Sequence, residues 1–130
     1  MKISRSIVVT AISSALLGGG AVWAQQQPNP LAFSRREPQF ENAQMRVWKS
    51  ILMPNQPLTL HRHDHGRALI ALTDGVLNLV DKNNKPLETY RWEKGKAYWL
   101  DAMPPGEMHA EVNRTMKPIE VIVVELKKDK

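Results

Sequence analysis

From Met45 onward the apolar residues come in short stretches, and turn residues separate these stretches at regular intervals. The breaks are rich in Gly, Pro, Asn and Asp, which favour turns over continued strand or helix. The pattern contains no amphipathic helix of useful length. The candidate strands are 45–53, 58–63, 67–72, 75–81, 87–92, 97–100, 108–113 and 118–126. About eight short strands in so small a chain predict an all-β fold, a single small jelly-roll β-barrel.

The N-terminal residues 1–24 have the three-part layout of a secretory signal peptide. MKISRS is positively charged, a run of apolar and small residues follows, and Val22 and Ala24 stand at the −3 and −1 positions of a cleavage site. An uncleaved membrane anchor is the alternative, but glycines interrupt the run and the cleavage site follows it. We therefore predict a periplasmic or secreted protein with no membrane contact after cleavage.

The mature chain would begin with an extended arm, residues 25–41, which is rich in proline and has little apolar periodicity. A short edge strand near Phe33 is compatible with that arm. The domain proper is predicted to span residues 42–127. The division is therefore a signal peptide, an arm and one domain.

The charge distribution argues against nucleic-acid binding, and the cysteine content rules out disulfides and thiolate metal ligands. The net charge of +5 is mild and spread along the chain, with no basic run interleaved with aromatics, so nucleic acid is not an expected partner. The chain has no cysteine. Disulfides are therefore excluded, and any bound metal must take nitrogen and oxygen ligands rather than thiolate.

Three of the four histidines fall within the five residues HRHDH, at positions 61 to 65, and the fourth is His109 in PPGEMH. His61 and His63 are two residues apart, so on a strand both imidazoles lie on the same face. Such a pair can take two coordination positions on one divalent ion. A third ligand must then come from elsewhere in the fold, and His109 is the only histidine outside the cluster.

These motifs resemble the paired motifs of the cupin superfamily. HRHDHGRALIALTDG is similar to the first motif, H-x-H, a spacer, Glu and a later Gly. GKAYWLDAMPPGEMHAEVN is similar to the second, with Pro104, Gly106, His109 and Asn113 at the family spacing after a longer Gly-to-Pro spacer. The resemblance covers nearly all of residues 45–126. It implies a small β-barrel with His61, His63 and His109 as metal ligands, a turn shaped by Pro104 and Gly106, and a structural role for Asn113.

The chain departs from the family pattern at Arg67, which stands where a carboxylate ligand is usual. A guanidinium cannot ligate a metal ion and repels one, so the resemblance does not supply a fourth ligand. Three imidazoles with water remain a suitable site for Zn, Fe, Mn, Ni or Cu. Some cupins, thiol dioxygenases among them, work with three histidines. A barrel that has lost its metal, with the histidines as polar cavity residues, is the alternative.

Three further residues near the motifs have open roles. Arg67 has the parity of His61 and His63; it either faces the cavity, where it would bind a carboxylate, or points outward at a strand edge. Glu111 is two residues past His109 and is a candidate metal ligand, a partner of an imidazole or a general base, with a solvated barrel-mouth carboxylate as the other possibility. His65 precedes Gly66 at a predicted turn, and we predict a rim residue rather than a ligand.

Three functional hypotheses follow. The first is a metal-dependent enzyme, dioxygenase-like or lyase- or isomerase-like, that acts on a small anionic molecule; Arg67 would orient substrate and Glu111 would move protons. The second is a non-catalytic module that binds a metal or small ligand. The third is a structural barrel with a vestigial site. Small single-domain cupins usually dimerise, so the resemblance also implies a homodimer.

Overall fold

A computed structural model describes residues 29–128; the predicted signal peptide lies outside the described residues. A short 3-10 helix, Pro30–Ala32, precedes eight strands. The strands are β1 (Arg35–Glu41), β2 (Met45–Leu52), β3 (Arg67–Ala71), β4 (Gly75–Val80), β5 (Pro86–Trp92), β6 (Ala97–Leu100), β7 (Ala110–Asn113) and β8 (Ile119–Leu126). Within the described residues, no helix has the length and apolar character needed to span a membrane.

The strands form two antiparallel sheets. The first has the order β1-β2-β8-β3-β6 and the second has the order β5-β4-β7. β8 pairs with β2 along its whole length, from Ile119 opposite Leu52 to Leu126 opposite Met45, and with β3 on its other side. A strand paired on both sides agrees with the nearly continuous apolar character of IEVIVVEL. The prediction of an all-β jelly roll is confirmed.

One predicted strand is wrong. Residues 58–63 form no ladder, and only His61 makes an isolated bridge, with His109. Pro54 and Pro57 lie at the start of the segment that leads to His61, and proline lacks the N–H group that a ladder requires. The segment between β2 and β3 therefore makes two isolated bridges instead of a ladder, one from Pro54 to Asn113 of β7 and one from His61 to His109 just before β7.

The N-terminal arm contains a strand two residues beyond Phe33. β1 pairs with β2 from Arg35 opposite Ile51 to Glu41 opposite Arg46, with a bulge between Pro38 and Phe40. β1 is an edge strand, a position that tolerates proline because one side of the strand needs no partner. The part of the arm before Asn29 lies outside the described residues.

The apolar core lies between the sheets. Alternate residues of β8 point inward, and Ile119, Val121 and Val123 are all buried. The main cluster of buried residues is Trp48, Leu52, Leu69, Ala71, Leu77, Trp92, Ile119, Val121 and Val123. A smaller cluster consists of Val80 of β4 with Ala110 and Val112 of β7. The core borders the polar residues of the 61–67 region, since the ring of Trp48 stacks on that of His63 with centroids 6.3 Å apart.

Two residues of the second motif set the path of β7. Gly106 has a φ of +81°, a left-handed conformation that favours glycine, and it lies in the turn before His109. Asn113 is fully buried at the end of β7; its amide donates to the main-chain oxygens of Leu52 and Lys117 at 2.9 and 2.7 Å. These contacts fix β7, and hence His109, against the neighbouring segments.

Candidate metal centre

The isolated bridge places the two histidine motifs side by side. His61 N donates to His109 O at 2.9 Å, and His109 N donates to His61 O at 2.8 Å. His63 follows two residues later, and Glu111 follows His109 by two residues on β7. One ligand atom from each of His61, His63, His109 and Glu111 lies within 4.8 Å of all the others. His65 is not part of this cluster.

The four side chains converge through specific atoms. The Nε2 atoms of His61 and His63 are 3.1 Å apart. Glu111 Oε1 is 3.3 Å from His61 Nε2 and 3.5 Å from His109 Nε2. The ring centroids of His61 lie 4.9 Å from those of both His63 and His109, with the rings nearly perpendicular. The converging atoms are therefore three imidazole nitrogens and one carboxylate oxygen.

Two of the imidazoles are oriented by hydrogen bonds on their far nitrogens. His61 Nδ1 lies 2.7 Å from the main-chain oxygen of Thr59, which can only accept, so Nδ1 carries the proton. His63 Nδ1 donates to the Glu125 carboxylate in the same way. With Nδ1 engaged in this way, the Nε2 atoms of both rings face the cluster. A carboxylate–histidine pair of this kind is typical of metal-binding imidazoles.

The cluster also contains two buried polar atoms that lack a partner. Within residues 29–128, neither His109 Nε2 nor Glu111 Oε2 makes a hydrogen bond. Unpaired buried polar atoms cost free energy, and a cation at their meeting point would remove that cost. Three imidazoles and a carboxylate are also a donor set that suits first-row divalent ions. The residues present therefore fit a divalent metal ion.

Burial and charge shift the pKa values around the cluster. Burial lowers the pKa of His63, which keeps its ring neutral, although the hydrogen bond to Glu125 opposes this. Burial by itself raises the pKa of Glu111, but the contacts with His109 and His61 outweigh burial and hold this pKa well below its usual range. The pKa of Glu125 is also lowered, because its contacts with His63 outweigh burial. Both carboxylates are thus anionic at neutral pH.

Arg67 is buried on β3 and does not point outward at a strand edge. It is 4% exposed, and Nη1 donates to the main-chain oxygen of Asp101 at 3.2 Å. It lines a cleft of about 510 Å³ that also contains His109. Burial lowers the pKa of Arg67, with Tyr90, Glu111 and Glu125 opposing the shift. A guanidinium nevertheless remains charged.

Sequence reasoning missed Glu125 and Arg36. The position of Glu125 could have been predicted from the sequence. It continues the alternation of Ile119, Val121 and Val123, so it extends the inward face of β8. No sequence feature indicated a role for Arg36, because it lies on the arm, far in sequence from both histidine motifs. Its Nη2 donates to His61 Nε2 at 2.9 Å, and its guanidinium lies 5.0 Å from the centroid of the Trp48 ring.

The chain is similar in fold to solved structures of cupin and double-stranded β-helix proteins. No protein-family model matches the chain, and no curated protein matches it. A cupin domain from Bordetella pertussis Tohama I has a TM-score of 0.63 and 20% identity, covering 78% of this chain and 99% of that one. An RmlC-like cupin from Methanocaldococcus jannaschii has a TM-score of 0.55 and 13% identity, covering 78% and 86%. A double-stranded β-helix protein from Klebsiella pneumoniae has a TM-score of 0.54 and 19% identity, covering 77% and 81%.

These likenesses extend over nearly the whole described domain, and they agree with the two-sheet topology. The resemblance noted in the sequence motifs is therefore confirmed for the fold. The chain has the fold of a small cupin domain, with a histidine-rich cluster at the position where the two motifs meet.

Proposed function

We propose that this cupin-fold protein is exported, holds a divalent metal ion through His61, His63, His109 and Glu111, and binds a small anionic molecule beside it. The convergence of the four ligand atoms within 4.8 Å carries the proposal. The ion is one of Zn, Fe, Mn, Ni or Cu, since all of these accept imidazole and carboxylate ligands. When bound, it would supply Lewis acidity to an anion in the cleft.

Glu111 replaces the carboxylate that the first motif lacks. Arg67 occupies the usual position of that carboxylate, and Glu111 Oε1 approaches both His61 and His109 from β7 instead. The Oε2 atom of Glu111 is buried and has no hydrogen-bond partner among the described residues. This favours metal ligation as the role of Glu111 over proton transfer, because a general base would need access to substrate. Among the roles left open by the sequence, we therefore assign metal ligation to Glu111.

Charge in the site favours an anionic ligand. The side chains of Arg36 and Arg67 offset those of Glu111 and Glu125, and imidazoles bind a metal ion in their neutral form, so a bound divalent ion leaves an excess of positive charge. A small anion next to the ion would neutralise that excess. Arg67, which lines the cleft with His109, is in position to bind such an anion by charge-assisted hydrogen bonds.

The number of protein ligands separates an enzyme from a binding module. Four protein ligands complete the tetrahedral shell that zinc adopts in structural sites, which would favour a non-catalytic metal-binding protein. Iron, manganese and nickel accept five or six ligands, and would keep positions open for substrate. The identity of the metal in the purified protein therefore discriminates between the two functions.

The experiment is metal analysis of the mature protein, followed by titration of the metal-free protein with Co²⁺. We expect about one ion per chain and a visible spectrum that shifts when acetate is added. His109→Ala should lose the ion, whereas the matched control His65→Ala, outside the cluster, should retain it. A wild-type protein that binds no ion more tightly than His109→Ala would refute the proposal.

Export and dimerisation are further parts of the proposal. The layout of residues 1–24 supports export, and N-terminal sequencing of the protein from a periplasmic or secreted fraction should begin at Gln25.

The cupin fold supports a homodimer. Light scattering of the mature protein should then give twice the chain mass, and a monomer mass at all concentrations would contradict the dimer.

A further inference from the structure

The central strand β8 of the five-stranded sheet is apolar on both of its faces. Val121 and Val123 point into the core and are buried, whereas Ile122 and Val124 point the other way and are half-buried. An antiparallel sheet with one solvated face usually alternates apolar residues on the core side with polar residues on the outer side. Apolar residues on the outer side of β8 indicate that this side has a partner as well.

Strand pairing extends the apolar outer side of β8 across four strands. Val124 lies opposite Val47 of β2 and opposite Ala68 of β3, and Ala68 in turn lies opposite Trp99 of β6. Residues directly opposite each other in a ladder share a face of the sheet. The same register gives the apolar residues of this outer face, which we call the outer patch: Val47, Ile51, Ala68, Ile70, Ala97, Trp99, Ile122 and Val124.

Trp99 is the largest side chain of the outer patch, and it is 56% exposed. Its ring lies directly on the backbone of Gly66, where any side chain would clash with the indole. Its Nε1 donates to Asp101 Oδ1 at 2.9 Å. A large ring that is already held in place loses little conformational entropy when a partner covers it. Tryptophan is also enriched among the residues that dominate binding energy at interfaces.

The charged side chains on this outer face neutralise one another. On the described strands they are Arg35 and Glu37 of β1, Lys49 of β2 and Glu120 of β8. Arg35 Nε lies 3.0 Å from Glu37 Oε1, and Lys49 Nζ lies 3.0 Å from Glu120 Oε1. The face therefore presents no net charge to attract a charged partner. Two copies of such a face can meet without like-charge repulsion.

The size of the outer face suits a dimer. A strand spacing of about 4.8 Å and a rise of about 3.3 Å per residue give the five-stranded sheet a projected area of roughly 500 Å². Side chains make the accessible area larger than this projection, and a stable interface buries about 800 Å² of accessible surface per partner. The N-terminal arm offers little alternative cover. After cleavage at Ala24, only residues 25–28, with the sequence QQQP, precede the described part of the chain.

From these observations we infer that the outer patch is a docking surface for a second copy of this chain, with the two copies packed outer face to outer face about a two-fold axis. The same patch then serves both copies, as in any isologous dimer. Trp99 and Val124 become buried in the interface. This inference rests on the proposed function in one respect, since it assigns an interface to the proposed homodimer.

The test is sedimentation velocity of the mature wild type and of Val124→Arg over a range of concentrations. Arginine within the patch places an unpaired charge on both sides of the interface, so the dissociation constant of the dimer should rise about 100-fold or more. Val76→Arg is the matched control. Val76 lies on the outer face of the three-stranded sheet, next to the buried Leu77, and this variant should dimerise as wild type. Thermal melts show whether each variant is folded.

Trp99→Ala tests the patch without adding a charge. It should raise the dissociation constant about 30-fold, because it removes the largest uncovered ring of the interface. The control is Leu87→Ala on β5, since Leu87 is similarly exposed, at 53%. If Val124→Arg does not fold, this comparison decides the question. A folded Trp99→Ala that dimerises as tightly as Leu87→Ala overturns the inference.

The outcomes separate this inference from the proposed function. A wild-type dimer that persists in folded Val124→Arg and Trp99→Ala keeps the proposed homodimer and overturns the interface assigned to it. A wild type that is monomeric at every concentration contradicts both. A monomer that cosediments with phosphatidylcholine vesicles would also overturn the inference, and would assign the outer patch to a membrane surface instead.

Discussion

Glu111 and Glu125 both contact histidines, but they contact different ring nitrogens. Glu111 approaches the Nε2 atoms of His61 and His109, which face the cluster. Glu125 instead binds Nδ1 of His63, on the far side of the ring. Removal of one carboxylate should therefore change the metal's ligand set, and removal of the other should change only the orientation and basicity of an imidazole.

The two variants Glu111→Gln and Glu125→Gln test this difference. Glu125→Gln should weaken Co²⁺ binding by about 10- to 100-fold and leave the visible spectrum of the bound ion nearly unchanged, because the ligands remain the same. Glu111→Gln should weaken binding and also change the spectrum. Competition with a chelator measures the affinity. An unchanged spectrum for Glu111→Gln would show that Glu111 is not a ligand.

Glu125 should also affect the pH dependence of stability in the metal-free protein. Its pKa is lowered in the folded state, because contacts with His63 outweigh burial. An acid with a lowered pKa stabilises the fold above its unfolded pKa, about 4.3 for Glu, and this stabilisation is lost as the pH falls through the folded value. The free-energy difference between wild type and Glu125→Gln should thus be constant above about pH 5 and shrink below about pH 4.

Urea unfolding at several pH values measures that difference. Glu93→Gln, in the exposed turn before β6, is the control and should follow the wild-type curve. A gap between wild type and Glu125→Gln that stays constant down to about pH 2 would contradict the assigned role of Glu125.

At this scale the sequence predicted the residues that lie in motifs and missed those that do not. His61 and His63 were identified by their spacing, His109 as the only histidine outside their cluster, and Arg67 by its place in the motif that resembles the cupin pattern. The pairing of Glu125 with His63 joins residues 62 positions apart, and it depends on how β8 packs in the finished barrel. Local spacing contains no information about such a contact.

At the scale of elements, β1 connects the N-terminal arm to the cluster. The sequence predicted an extended arm that could contain a short edge strand near Phe33, but not the bounds or the partner of that strand, since proline and charge obscure the apolar alternation that identifies strands. In the structure β1 pairs with β2 and places Arg36 at His61 Nε2, where a metal ion would bind. Arg36 therefore competes with the ion, both as a hydrogen-bond donor and as a positive charge.

Arg36→Met should consequently bind Co²⁺ more tightly, by about tenfold, because it removes one unit charge a few ångströms from the ion. The control is Arg35→Met, which removes the same charge from the same strand on the opposite face, where Arg35 pairs with Glu37. Affinities are best compared at low and high salt, since salt screens the exposed charges. Equal affinities for the two variants would contradict the competition.

The segment between β2 and β3 is the element for which the sequence prediction failed, and it contains two of the predicted ligands. Its alternation of Leu58, Thr59 and Leu60 is typical of a strand, yet residues 58–63 make a single bridge, between His61 and His109. Its other bridge, from Pro54 to Asn113, is also isolated, so no ladder runs along the segment. Alternation reports which side chains are buried; it does not report whether a neighbouring backbone is present.

At the scale of the whole molecule, the cluster joins the two sheets. His109 and Glu111 belong to the three-stranded sheet through β7, whereas His63 is tied to the five-stranded sheet through Glu125 on β8. The overall jelly roll was predictable because it depends on the number and spacing of short strands. The contact that joins the two sheets at the cluster was not predictable, because it connects the loop that contains His61 and His63 with two different strands, β7 and β8.

A metal ion in this position should act as a cross-link in a small domain that has no disulfide. Binding to the folded state alone stabilises it by about 4 kcal/mol at a metal concentration a thousandfold above Kd, so Tm should rise by more than about 10 °C. Because the ion would be held by His61, His63, His109 and Glu111, the largest gain in hydrogen-exchange protection should fall on residues 58–66 and β7, with little change in β4 and β5. His65→Ala should show the same rise in Tm, and His109→Ala should show none. A rise in Tm that persists in His109→Ala would mean that the ion stabilises the protein from a different site.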